Sequence, residues 1–285
     1  MDIVDSQVHL WAAESPTRPW PPGRAPEAQK PYQILKESLL FQMDLAGVRR
    51  MVLVPPSWEG DRNDMALEAA RTYPDRFAVM GRIALKTSAG KDALKRWREQ
   101  PGMLGVRLTF HRDADRPWLT DGTADWFWPE AQRNDIPVMV HAPERLTEIG
   151  EVAARYPNLR IIVDHMGFAR ATIDDKASPA VERMNALARY PNVFVKVSAL
   201  PCFSTEPYPF GNLREPLRRV IEAFGPRRAF WGSDITRVPT TCSYRQTVTH
   251  FTEELDFLSP GDLEWIMGRG LADCLRWPLA QPQPA

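Results

Sequence analysis

The chain has 285 residues, 36 Lys and Arg against 36 Asp and Glu, and 44% hydrophobic residues. Zero formal charge and the lack of a basic run argue against nucleic acid or an anionic membrane surface as partner, and no apolar run of about 20 residues is available to span a bilayer. No cationic stretch leads into an apolar one as a secretory signal would, and the three scattered cysteines (Cys202, Cys242, Cys274) suit neither a disulfide framework nor a zinc cluster, so reduced thiols and a cytoplasmic location are expected.

Residues 3–11, from Ile3 to Trp11, read as a strand. Alternation sends Asp5, Gln7 and His9 to one face and Val4, Val8 and Leu10 to the other, so the inner face is polar and metal-capable. A Pro-rich connection over 12–31, carrying Trp20, reads as a loop folded over that face. A helix over 34–46, closed by Gly47, leads to a buried strand over 50–55. The alternation then becomes regular. Helices over 63–73, 89–99, 126–134, 144–156, 179–190 and 213–224 precede strands over 77–85, 103–110, 136–141, 159–165, 193–199 and 229–234. Helices over 244–257 and 260–277 follow. Three helices run into Tyr-Pro pairs (Tyr73-Pro74, Tyr156-Pro157, Tyr190-Pro191), where proline stops the helix and biases its predecessor toward extended geometry.

Eight short apolar strands alternating with helices mean a parallel sheet, and this length suits a closed (β/α)8 TIM barrel forming one domain over 1–285. An open doubly wound sheet would want a Gly-rich phosphate loop after its first strand, where this chain has Gln7-Val8-His9 and prolines.

Function in such barrels sits at the C-terminal strand ends. Those ends carry His9, Arg82, Arg107, His141, Asp164-His165 and Ser233-Asp234, with Lys196 and Ser198 sharing a face of strand 7. Three of only five histidines close predicted strands, which points to a site. His111 and His250 read as surface or supporting residues. Arg82 and Arg107 read either as partners of Asp5 or Asp234 or as grips for a substrate carboxylate, which their planar fork matches. Lys196 has two readings, a stem snorkelling to solvent or a substrate contact. Asp164, alternating away from His165, caps or orients; Ser233 bonds its neighbours; Trp126-Phe127-Trp128 packs helix on barrel.

His9, His141, His165 and Asp234 at one rim suit two mechanisms. The imidazoles and carboxylate could hold one divalent ion that acidifies water. Without metal, Asp234 could act as general base on water while His and Arg side chains bind substrate and steady an oxyanion.

Val4 to Trp11, Val138 to Pro143, Val163-Asp164-His165-Met166-Gly167 and Phe230-Trp231-Gly232-Ser233-Asp234 resemble the amidohydrolase superfamily. Within it the chain resembles the amidohydrolase-related branch that holds pyrone dicarboxylate lactonases and sugar lactonases; the aminocarboxymuconate-semialdehyde decarboxylase group is a more distant cousin. The resemblance implies a TIM-barrel hydrolase acting on a small molecule. It implies Asp234 as the water-activating base, His9, His141 and His165 as groups that bind or polarise substrate, the last two beside the base, and Arg82 and Arg107 as carboxylate contacts. Gln7 and Lys196 are further candidates for substrate contact from their own places on the strands. A single Zn or Mn ion, if bound, would sit on His9, His141 and Asp234. Gln7 stands where the family pattern has its first His, so the choice between no metal and one ion stays open. Arg107 on strand 4 leaves no bridging carboxylated Lys, so a binuclear centre is not expected.

The expected activity is therefore the opening of a lactone, or related cyclic ester or amide, of a carboxylate-bearing molecule. The alternatives are a metal-dependent non-oxidative decarboxylase and, motivated by Gln7, a ligand-binding barrel that has lost catalysis. Loops over 12–31, 111–123 and 201–212 should set specificity, the last through an aromatic lid of Phe203, Tyr208 and Phe210 or as a packed surface loop. A homo-oligomer is compatible with the sequence.

Overall fold

Strand β1 (Val4–Val8) is followed by β2 (Arg50–Leu53), β3 (Phe77–Gly81), β4 (Met103–Thr109), β5 (Val138–His141), β6 (Ile161–Val163), β7 (Val193–Ser198) and β8 (Ala229–Gly232). In the computed structural model, which describes residues 1–277, these strands pair in sequence order and every pairing is parallel. Residues 278–285, the end of the expected 1–285 unit, lie outside the described residues. Helices α1 (Lys36–Ala46), α2 (Asp64–Thr72), α3 (Ser88–Lys95), α4 (Phe127–Arg133), α5 (Leu146–Arg155), α6 (Ala177–Asn185), α7 (Arg214–Phe224) and α8 (Tyr244–Thr249) each follow one strand. Two further helices, α9 (Pro260–Glu264) and α10 (Gly270–Leu275), complete the described chain. This is the expected (β/α)8 barrel. No helix among the described residues is long and apolar enough to cross a membrane.

The Tyr-Pro stops behave as their chemistry requires. Tyr73 and Tyr156 close α2 and α5 with ψ of 67° and 71°, outside the helical region that the following proline forbids. Trp126-Phe127-Trp128 is packing material: Phe127 and Trp128 are buried and Trp126 Nε1 donates to Leu85 O at 2.9 Å.

Inward residues change character along several strands. Val4, Val52, Met80, Met139, Ile162 and Phe230 form an apolar plug inside one end of the barrel. Two residues further along come polar groups: Asp164 after Ile162, His141 after Met139, Lys196 after Phe194. Outward residues such as Val8, Leu53, Val140 and Val197 pack under the helices.

β1 departs from plain alternation. Asp5 pairs with Met51 and Val8 with Leu53, so three steps on β1 match two on β2, a bulge. Met51 and Leu53 both belong to the layer under the helices, and their partners share that side. Asp5 therefore faces outward, against expectation, while Gln7 and His9 face the barrel interior. Asp5 instead staples the seam between β8 and β1. Its carboxylate accepts from Gln7 N–H (3.0 Å), Ser233 N–H (2.9 Å), the Ser233 hydroxyl and Tyr244 Oη of α8 (2.8 Å). Asp234 N–H donates to Gln7 O at 2.9 Å across the same seam.

Candidate active site

β6 and β8 end earlier than alternation predicts because the backbone turns left-handed just beyond them. His165 and Met166 have φ of 53° and 55°, and Asp234 has φ of 49°. L-residues adopt this region at a cost. It lets Asp164 and His165, neighbours in sequence, both serve the interior: Asp164 reaches the barrel floor and His165 the cleft above it.

The cleft has about 480 Å³ of space and is lined by His9, His111, His141, His165, Asp234 and Trp58, together with Arg107, Arg170 and Arg237. Asp234 is its centre. Its Oδ1 lies 3.5 Å from His9 Nε2; its Oδ2 lies 3.7 Å from His165 Nε2 and 3.5 Å from Arg237 Nη1. Oδ1 is buried with no hydrogen-bond donor. Burial alone would raise the carboxyl pKa, but the positive charges around it, Arg237 and Arg107, hold it below the usual range.

The imidazoles stay neutral. Burial, reinforced by Arg107, lowers His9 to about 4 against the opposing pull of Asp234, and burial lowers His165 to about 3. His9 Nδ1 donates to Val54 O (2.5 Å), so Nε2 carries the lone pair, and Gln7 Nε2 donates to it at 3.2 Å. His165 Nδ1 meets Ser198 Oγ at 2.8 Å. His141 is 5.5 Å from His165 between ring centroids and is also pushed well down by burial.

Beneath the cleft lies a buried ionic layer. Asp164 accepts from Arg107 Nε at 3.1 Å and faces Lys196 Nζ at 2.9 Å, while Nζ also donates to Gln7 Oε1 at 2.7 Å. Lys196 is 0% exposed and does not line the cleft, so it neither snorkels nor reaches a ligand there. Its inward register beside Phe230 points it across the barrel floor, where Asp164 compensates its charge. Gln7 likewise lies below the cleft. Arg107 lines the cleft, but its partner is Asp164 rather than Asp5 or Asp234, because the bulge turns Asp5 away. Arg82 sits outside the cleft lining, donating to Thr109 Oγ1 at 3.1 Å with Asp61 3.8 Å away.

Other expectations need correction. His111 is no bystander: it lines the cleft with its ring 4.9 Å from that of His141. His250 is buried, not superficial, in a wide π turn (His250–Glu254) after α8. The aromatics of 201–212 form no lid over the cleft. Phe203 packs on Phe168 (5.3 Å between centroids), Phe210 is buried, and Tyr208 Oη binds Thr249 and Glu254. The 12–31 loop does reach the mouth, with Glu27 and Gln29 in the lining.

An amidohydrolase family model matches residues 4–269, nearly all of the barrel. The chain belongs to the amidohydrolase family. It is thus a hydrolase by membership. This amidohydrolase is 29% identical over 238 residues to an L-fucono-1,5-lactonase of Burkholderia ambifaria, covering 81% of this chain and 79% of that protein. Its fold is shared with an amidohydrolase of Burkholderia multivorans solved with bound zinc (TM-score 0.81, 23% identity, 98% and 100% of the two chains). It is shared also with a probable 2-pyrone-4,6-dicarboxylic acid hydrolase of Acinetobacter baumannii solved with citric acid (TM-score 0.76, 20% identity, 97% and 100%).

The donor set of this amidohydrolase does not fit a metal ion. Among the described residues no three His, Cys, Asp or Glu side chains converge closely enough to hold one. His9, His141 and Asp234 are not gathered as a ligand set, and the His9 lone pair is already engaged by the Gln7 amide N–H. Arg237 and Arg170 were missed by reading strand ends alone. Arg237 lies one helical turn's spacing past Asp234, which was the available signal; Arg170 sits in a loop whose path sequence does not reveal.

Proposed function

We propose that this amidohydrolase opens a lactone of a small, carboxylate-bearing molecule with water activated by Asp234. The observation that carries the reading is Asp234 Oδ1, a buried oxygen with no donor, on a carboxylate that lines the cleft together with three arginines. Water held there loses a proton to Oδ1 as its oxygen bonds the lactone carbonyl carbon. The oxyanion that forms needs donors in a dry site, and Arg107, Arg237 and His165, whose Nε2 carries the proton when the Ser198 hydroxyl donates to Nδ1, are the groups at hand. Collapse then breaks the ring ester bond, and the proton on Asp234 passes to the leaving alkoxide.

Two considerations support a carboxylate on the substrate. Arg107, Arg170 and Arg237 outnumber the acidic groups of the lining, Asp234 and Glu27, and the guanidinium fork binds carboxylate in bidentate fashion. Similarity to proteins named as lactonases supports the ring-opening class.

The test is a panel of neutral and acidic lactones assayed by proton release. Acidic lactones should turn over with the higher kcat/KM, and Asp234→Asn should cut kcat by roughly 10²-fold or more while the far-UV spectrum stays unchanged. Full activity in Asp234→Asn would remove the base, and carbon dioxide release without ring opening would replace this reading with a decarboxylase.

A further inference from the structure

We infer that Lys196 closes this centre to divalent metal ions by fixing the orientation of Gln7. The inference concerns the barrel floor and holds whatever lactone is the substrate.

An ammonium group has three donors and no acceptor. At 2.7 Å from Lys196 Nζ, the Gln7 amide must present its oxygen, since the reverse orientation would set N–H against N–H. Its nitrogen then faces His9 Nε2 at 3.2 Å. Val54 O, 2.5 Å from Nδ1, keeps the ring proton on that side. The one lone pair of His9 is thus spent on Gln7, and the one oxygen of Gln7 is spent on Lys196. Neither residue has a donor left for a cation. The separation of His9 Nε2 from Asp234 Oδ1, 3.5 Å, would otherwise suit two ligands of one zinc ion.

Charge acts in the same direction. Asp164 is shared by two cations, Lys196 at 2.9 Å and Arg107 at 3.1 Å, so the floor carries one uncompensated positive charge directly beneath the cleft. Arg237 sits beside Asp234 and balances the charge of that carboxylate. A dication would enter against the floor charge with no net anion to draw it in. Lys196 cannot relax away, because it is fully buried and held by Asp164 as well as Gln7.

The role is that of a positioning residue, and its readout is metal affinity rather than turnover. The full chain, stripped with chelator and desalted, is titrated with zinc in competition with a chromophoric chelator. His9→Ala serves as the baseline for zinc held by surface groups. In Gln7→His the Lys196 ammonium would occupy the lone pair of the new imidazole as it does the Gln7 oxygen, leaving the N–H edge toward His9, so the wild type and Gln7→His, both retaining Lys196, should match that baseline. Lys196→Met combined with Gln7→His should bind zinc at least about tenfold tighter than either, the scale on which neighbouring groups tune metal sites, and adding His9→Ala should abolish the gain. Zinc bound tightly by the wild type and lost in His9→Ala would overturn the inference. So would Gln7→His binding as tightly as the double variant. If thermal melts show that the Lys196→Met background does not fold, the wild-type and Gln7→His arms decide alone: baseline affinity in both supports the lock, and tight binding in either refutes it.

Discussion

His9 and His165 owe their neutrality to burial beside guanidinium groups, and the same environment makes them a liability in acid. Their folded pKa values, about 4 and about 3, lie below the ordinary 6.5. Between pH 6.5 and those values the unfolded chain binds protons that the folded chain refuses, so stability is full above pH 6.5 and falls as pH drops. Each imidazole is worth on the order of a few kcal/mol in this window. Asp5 works the other way: burial raises its carboxyl to about 6 despite four donors, so it gains stability as pH falls from 6 toward 3.8. Two imidazoles outweigh one carboxyl. The denaturation midpoint in urea should therefore decline steadily from pH 6.5 to 4, and a midpoint flat over that range would show that the imidazoles are not held neutral. Much of the site was legible at this scale. His9, His141, His165 and Asp234 were identifiable because few side chains in the sequence close apolar strands with a nitrogen or carboxylate. Lys196 was legible as inward-facing but not as locked, since its partner Asp164 lies on a strand end whose left-handed neighbour breaks the alternation rule.

At the scale of elements, the bulge in β1 decides which of its polar residues belong to the site. Plain alternation puts Asp5, Gln7 and His9 together; one extra residue sends Asp5 to the helical layer and leaves the other two inside. Sequence carries little signal for such a bulge, because Ser6 is unremarkable in a strand. Its partner feature is Gly232 on β8. A Cβ there would lie 2.4 Å from Ser6 Oγ, 3.2 Å from Ser198 Cβ and 3.3 Å from Gln7 Cβ. Gly232→Ala should therefore push the bulge and Gln7 out of place, costing about 1–3 kcal/mol as overpacking does. Chemical denaturation would measure the loss, and kcat should fall with it because Gln7 orients His9. Unchanged stability would mean that β1 has slack that the close packing around it denies. Of the two readings of 201–212, the lid gave way to the packed loop for a related reason: aromatic residues signal burial, and Phe168 took up Phe203 while α8 with its π turn offered Tyr208 and Phe210 a place away from the cleft.

For the whole molecule, fold class followed from the βα rhythm, which survives errors of several residues in any boundary. The cleft lining did not, because Arg170, Trp58 and Gln29 come from loops whose course depends on the packed barrel. The seam between β8 and β1 has a kinetic meaning. The donors that Asp5 accepts from β8 and α8 come from residues 228 and 239 positions away in the chain. Contacts of that span form late, since loop closure must be met before they contribute. Asp234, the proposed base, its flanking His9 and the seam hydrogen bond from Asp234 N–H to Gln7 O are one locality. Circularisation of the barrel and assembly of the reactive centre are then a single event. On refolding from urea, the helical signal at 222 nm should recover before enzymatic turnover does. Turnover that returned in step with the helical signal would mean that the two chain ends find each other early. Enzyme activity in this protein is accordingly a reporter of ring closure, as sensitive to the meeting of the first and last strands as to the chemistry between them.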